Sequence, residues 1–464
     1  MRKLLTVVVM LMALPTWAAE DGFEARRDFG MPLETPGKVI HGVGQSQLIE
    51  FAGLATHLPA DRQPAFTMVY MGLRASPEKI KQRFDGWAAW LQGMPGDAGF
   101  QLGLSFKTRG SDADQRAHAK AVADGKFDAS LRQLAASIDA LDRPVWVRIG
   151  YECNGFWNGY QPETYKPAFR HIAELLRKHG GEKLAIVWCV HPIDGMGRLM
   201  EFYPGDDWVD WWSIDLFQPK FMNRKVVRDF CRKAMEHGRP VLIGEATPTE
   251  VKRSEQWDRW FKPFFELIRT EPAIKGFSFI NRNWNVSRWD WGEARVHRDE
   301  ELLRRYKTEM ASPLYRHAAE PAPGKLRLAA ATLEGPTDER GRYRLTRDAT
   351  RTLRLPGDSE GADLAILTLA YRLLDAEARP VGKGDGELRL EVRDAAGGVV
   401  LAAESCEARE RAQQVELVLT PKLRQVEGPL ELTVSGAFAG SVALHGPRTK
   451  GGMPPQLTWV MSDD

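Results

Sequence analysis

Two carboxylates in this chain stand where acid–base chemistry on an acetal could be done. Glu152 closes the run Val145-Trp-Val-Arg-Ile-Gly-Tyr-Glu152, and Glu245 closes Val241-Leu-Ile-Gly-Glu245. Both runs are apolar and β-branched, the pattern of a buried strand, and Gly155 ends the first, so Glu152 and Asn154 are expected at a strand's C-terminal tip. In a parallel barrel that tip is where chemistry is done. Splitting the bond between two sugars needs a proton for the leaving oxygen and a nucleophile or activated water at the anomeric carbon. Two carboxylates supply both when their environments push their pKa values apart. A lone Glu at a strand end carries little weight, because Glu is common and a fold hosts many functions. A pair in equivalent positions carries more.

The elements that would position this pair can be read from periodicity. Eight short runs rich in Val, Ile, Phe and Trp occur at 39–45, 66–73, 100–106, 145–152, 184–191, 209–217, 241–245 and 274–280, most of them separated by helical patterns. Alternation of that kind over roughly 250 residues predicts an α/β chain with a (β/α)8 TIM barrel rather than an open doubly wound sheet. Glu152 and Glu245 fall on the fourth and seventh strands, facing each other across the barrel mouth. A helix is expected from Pro77 to Leu91, with Ile80, Phe84, Trp87 and Leu91 on one face. A second opens at Pro162 and closes on Gly180 and Gly181. The polar stretch 107–126 is expected as a long loop after the third strand. Beyond Pro313 the character changes: fourteen of the fifteen Trp precede that point, and alternating runs broken by Pro-Gly and Gly-Gly turns predict an all-β sandwich. The expected division is therefore an export signal at 1–19, a barrel at 20–316, a linker at 317–324 and a sandwich at 325–464. Tyr343, Tyr371, Phe438 and Trp459 are the sandwich's only aromatics. That composition favours a structural partner over an accessory carbohydrate-binding module.

Arg148, Glu152, Asn154, Gly155 and Trp157, followed by Pro162-Glu-x-Tyr165 and Arg170-His171, resemble glycoside hydrolase family 26, the β-mannanase family of the large (β/α)8 retaining clan. The stretch from Tyr203 to Asp210, Ser213-Ile-Asp215 and Gly244-Glu245 are similar to the same pattern, and the likeness runs from about residue 36 to 310. The resemblance implies Glu152 as general acid/base and Glu245 as nucleophile of an anomer-retaining double displacement, with carboxyls about 5–5.5 Å apart. It implies Trp157 as part of a sugar platform, since a flat indole suits a pyranose ring. Two departures mark a divergent member. Family members usually carry His before the acid/base, where this chain has Tyr151. They usually carry a Tyr whose hydroxyl holds the nucleophile, where this chain has Phe217. Losing that hydroxyl removes a hydrogen bond to the nucleophile, and Tyr151 is the candidate replacement. The implied substrate is a β-linked polysaccharide, mannan first, with xylan, β-glucan or an exopolysaccharide as alternatives. A non-catalytic sugar-binding barrel is the reading from another class, and the retention of both carboxylates opposes it.

The wider substrate-binding set expected around the pair is Arg148, Tyr151, Asn154, Trp157, His191, Asp215, Phe217, Asn281, Trp284 and His41. Asn281-Arg-Asn-Trp284 and Trp289-Asp-Trp291 supply amides for hydroxyls and indoles for ring faces. His41 and Gln45 on the first strand and His191 after the fifth are expected near the mouth. Asp206, Asp207 and Asp210 lack an oxygen-ligand loop, so no metal is expected, and no cofactor. A net charge of +2 over 464 residues gives no electrostatic case for nucleic acid or membrane, and a monomer is expected. Arg2 and Lys3, the apolar stretch Leu4 to Leu14 and the small residues Ala18 and Ala19 predict export to the periplasm or medium. Four cysteines show no metal-ligand spacing. Cys153 and Cys189 would lie on neighbouring strands, which makes a bridge conceivable, and buried thiols are the simpler expectation.

Overall fold

Eight parallel strands close on themselves: β1 (Val39–Val43), β2 (Phe66–Gly72), β3 (Gly99–Ser105), β4 (Val145–Ile149), β5 (Leu184–Val190), β6 (Trp211–Leu216), β7 (Val241–Ala246) and β8 (Ile274–Phe279). Their hydrogen-bonded order runs from β2 to β8, then to β1, which pairs back to β2. This (β/α)8 barrel is followed by antiparallel sheets, as the periodicity predicts. The computed structural model describes residues 26–462 except 109, 288, 290, 360–361, 382–386, 397–399, 408–411, 421–422, 424–425, 427–428, 439 and 450–451. The export signal expected at 1–19 lies outside the described residues.

Alternation along each strand decides what faces the barrel axis. Ile40, Phe66, Trp146, Val187, Trp211 and Leu242 fill the lower interior, with Met31 and Leu33 packed beneath them. The Trp211 indole donates to the Pro32 carbonyl at 2.8 Å, fixing the entering chain as a plug. His41, next to Ile40, therefore points outward, and this corrects its expected place at the mouth. It is fully buried against the helix Glu300–Met310, bonded to the Tyr306 hydroxyl at 2.8 Å and to His317 at 3.1 Å.

The helices Pro77–Trp90 and Pro162–His179 form as the sequence predicts, each with Pro in its first turn. The stretch expected as a long loop after β3 instead contains the helix Asp112–Ala123, opened by a reciprocal Ser111–Asp114 capping box. All four cysteines are buried free thiols, although the Cys153 amide bonds the Cys189 carbonyl at 3.1 Å.

The C-terminal domain is a six-stranded and a five-stranded antiparallel sheet. It docks on the barrel through the helix Leu48–Ala55, every residue of which is buried. Ile49, Val286, Ala370, Ala412 and Met453 form an apolar cluster across the junction, and the Gln414 side chain donates to that of Gln47. Among the described residues no helix is long and apolar enough to cross a membrane.

Candidate active site

The strand ends open into a cleft of about 890 Å³ that holds Glu152, Glu245, Tyr70, Tyr151, Trp157 and Phe217 among its walls. Beneath it lies Arg148, whose side chain is wholly buried. Its Nη2 donates to Glu245 Oε1 at 2.5 Å and its Nη1 to Asp215 Oδ1 at 3.2 Å. Burial opposes the guanidinium charge, but Asp215 and Glu245 outweigh it and keep Arg148 protonated. Gly244 makes this approach possible: a Cβ there would stand 2.4 Å from Arg148 Nη1 and 2.5 Å from Ser213 Oγ. Arg148 and Asp215, expected to touch substrate, instead form the floor that orients Glu245.

Glu152 is not in the strand. β4 ends at Ile149, and the chain turns through Gly150 (φ 55°) and Glu152 (φ 48°). A left-handed non-glycine residue costs energy and concentrates at functional sites. Here it turns the Glu152 carboxyl into the cleft, where Oε2 accepts from the Trp157 indole at 2.8 Å and Oε1 lies 3.9 Å from His191 Nε2. Burial, and then the charge of Glu245, push Glu152 up to about 8. Burial, helped by Arg224, lowers His191 to about 4, so the ring beside Glu152 is neutral at pH 7.

The hydroxyl that Phe217 cannot offer comes from Tyr70, on β2, which hydrogen-bonds Glu245. Gln45 joins them: its Nε2 donates to Glu245 Oε2 at 3.2 Å and to the Tyr70 hydroxyl at 3.0 Å. Tyr151, the expected replacement, instead lays its ring 5.2 Å from the Arg148 guanidinium and 5.2 Å from Tyr70. Phe217 packs between His191 and Trp291, at 5.9 and 5.5 Å.

Other expected contacts are placed differently. Trp284 is only 3% exposed, its indole donating to Thr247 Oγ1 at 3.1 Å. It supports Trp291 at 4.9 Å, which stacks on Trp289 at 5.2 Å, and Trp289 is 46% exposed. Trp284, Trp289 and Trp291 together line this wall of the cleft. Asn154 bridges backbone, bonding the amide and carbonyl of His191 at 2.8 and 2.9 Å and Asp194 at 2.8 Å. Asn281 is fully buried, held by the Glu50 carbonyl and the Val296 amide, away from the carboxylates. Asp210 is 9% exposed and pairs with Arg177 at 2.6 Å. Among the described residues no group of His, Cys, Asp and Glu is arranged to hold a metal.

Residues 88–250 match the family described as Glycosyl hydrolase family 26. A beta-1,3-xylanase of Vibrio sp is 30% identical over 232 residues, 43% of this chain and 50% of that protein. A beta-1,3-xylanase of Alcaligenes sp is 31% identical over 194 residues, 37% of this chain and 41% of that protein. The chain thus spans half or less of the length of these curated relatives. Among solved structures, a GH26 beta-mannanase from Bacteroides ovatus aligns with a TM-score of 0.45 at 14% identity, over 61% of this chain and 91% of that one.

Proposed function

We propose, from the premise that this barrel is a divergent glycoside hydrolase family 26 domain, that the protein is an anomer-retaining hydrolase of a β-linked polysaccharide. The observation that carries this reading is the contrast between two carboxyls in one cleft. Glu152 is kept protonated at neutral pH by burial and by Glu245, while Glu245 is ion-paired to a buried guanidinium. A neutral acid beside a fixed carboxylate is the division of labour that double displacement needs. Glu245 attacks the anomeric carbon as Glu152 gives its proton to the leaving oxygen. Glu152, now a carboxylate, then takes a proton from the water that displaces Glu245. Gln45 and Tyr70 orient the nucleophile, and Trp157 orients the acid.

Because two of the curated relatives are named beta-1,3-xylanases, we place a β-1,3-linked xylan ahead of mannan as the backbone. Export is part of the same proposal, supported by the pattern of residues 1–19. The test is release of reducing ends from β-1,3-xylan, β-1,4-xylan, mannan and β-glucan. Wild type is expected to cut at least one of them, with Glu152→Gln and Glu245→Gln each slower on the order of 10²–10⁴-fold. Undiminished hydrolysis by Glu245→Gln would overturn the assignment.

A further inference from the structure

The charges lining the cleft are unequal. Lys107, Lys220, Arg224 and Arg282 face Glu152, Glu245 and Glu250. Four of these seven are already engaged: Glu245 pairs with Arg148, Glu152 accepts from the Trp157 indole, Arg282 lies 3.3 Å from the buried Glu50, and Glu250 accepts from the Gln218 side chain. Lys107 is tied to the Trp157 carbonyl. Lys220 and Arg224 differ. Most exposed cations nearby sit against carboxylates, as Lys225 does with Asp229 at 2.6 Å and Lys233 with Glu236 at 2.9 Å. Among the described residues, neither Lys220 nor Arg224 has such a partner.

Both are nevertheless held in place. Lys220 Nζ stands 5.7 Å from the centre of the Phe221 ring and the Arg224 guanidinium 5.5 Å from it. Arg224 also donates to the Pro192 carbonyl. Phe221 packs edge-on against His191 at 5.2 Å, and His191 in turn against Trp157 at 5.1 Å, the residue bonded to Glu152. The two cations therefore stand on the acid side of the cleft, both against the Phe221 ring that packs on His191 beside Glu152. A neutral sugar can accept hydrogen bonds from these groups through its hydroxyls, but it brings no charge to match two adjacent cations. A carboxylate or sulfate does, and a guanidinium binds either through paired N–H donors.

We propose that Lys220 and Arg224 form a subsite for an anionic substituent, a uronate carboxylate or a sulfate ester, on the β-glycan that the cleft cuts. This rests on the hydrolase reading and ranks acidic polymers ahead of their neutral parents as its substrate. The test uses matched polymers: β-1,3-xylan, β-1,4-xylan and mannan, each neutral, carboxymethylated and sulfated, assayed with wild type and the double variant Lys220→Gln/Arg224→Gln. In at least one set the acidic member is expected to show roughly tenfold higher kcat/KM than its neutral parent, falling toward parity in the double variant and at high salt. The carboxymethyl and sulfate arms separate the two sources of charge. Preference for the neutral parent in every set, or an acidic preference that the double variant retains, overturns the inference. If no polymer is cut, the hydrolase reading fails on its own. Affinity electrophoresis then decides this one: greater retardation of wild type than of the double variant in the acidic polymers supports it, and equal retardation overturns it.

Discussion

Glu152 carries the pH dependence expected of this site. Its carboxyl titrates at about 8 in the folded protein against 4.5 for an ordinary Glu, first because of burial and then because of Glu245. Activity that needs the protonated acid falls as pH rises through about 8, so the alkaline limb of kcat/KM belongs to this residue. A stability effect follows with the same sign. The folded chain holds a proton between those two values that the unfolded chain has lost, so the contribution of Glu152 is complete below 4.5 and is lost as pH rises through about 8. Gln in its place cannot ionise. Urea unfolding of Glu152→Gln is expected to show stability relative to wild type improving from about pH 5 to about pH 9. A difference that does not change with pH would show that the Glu152 carboxyl is not perturbed. The sequence shows Glu152 and Glu245 because each ends an apolar run, but it hides Tyr70. That residue stands between Val69 and Met71 on its strand, and only barrel closure brings its hydroxyl to a carboxyl 175 positions away.

The turn after β4 is the element on which the site depends. Gly150 takes φ +55°, and a Cβ there would lie 2.6 Å from the Phe106 ring and 2.7 Å from the Tyr165 ring, both in the barrel's packed outer layer. Gly150→Ala therefore pays twice, in backbone strain and in overpacking, and is expected to cost about 1–3 kcal/mol in chemical denaturation. Because Glu152 follows two residues later in the same left-handed turn, kcat should fall more than KM rises. Unaltered kcat in a destabilised Gly150→Ala would mean that the turn's geometry does not set the carboxyl. The eight strands were legible because a parallel strand covered on both sides reads as an unbroken apolar run. The helix Asp112–Ala123 was not, because only Gln115, Ala119 and Val122 are buried on it and two of those are a weak apolar signal. Its Ser111–Asp114 cap was the available clue, with Asp where the usual box has Glu or Gln. The tryptophan wall was legible as a composition and not as an arrangement. Which indole is exposed depends on Trp284 turning in toward Thr247.

At the scale of the whole molecule, the sandwich reaches the cleft through two acids, the buried Glu50 and the partly buried Glu416. Glu416, on the sandwich strand Gln413–Val418, faces the Leu48 and Ile49 amides at the start of the docking helix. Burial and then the charge of Glu50 raise it to about 8. Glu50, on that helix and 3% exposed, is raised to about 7, chiefly by burial. Its Oε2 accepts the Gln45 amide at 2.6 Å, and the Gln45 side chain bonds Glu245. Both pKa values are raised, so these groups stabilise docking most at acidic pH, and that contribution is lost as pH rises through about 7 and about 8. Glu416→Gln keeps an acceptor for the helix amides and removes the charge that would face Glu50. It is expected to raise the melting temperature at alkaline pH while leaving it near wild type at acidic pH. Glu416→Ala removes the acceptor as well, and through Glu50 and Gln45 it is expected to lower kcat with KM little changed. If Glu416→Gln follows the wild-type melting curve at every pH, the two acids do not couple the domains, and the sandwich is tied to the barrel by its apolar contacts alone.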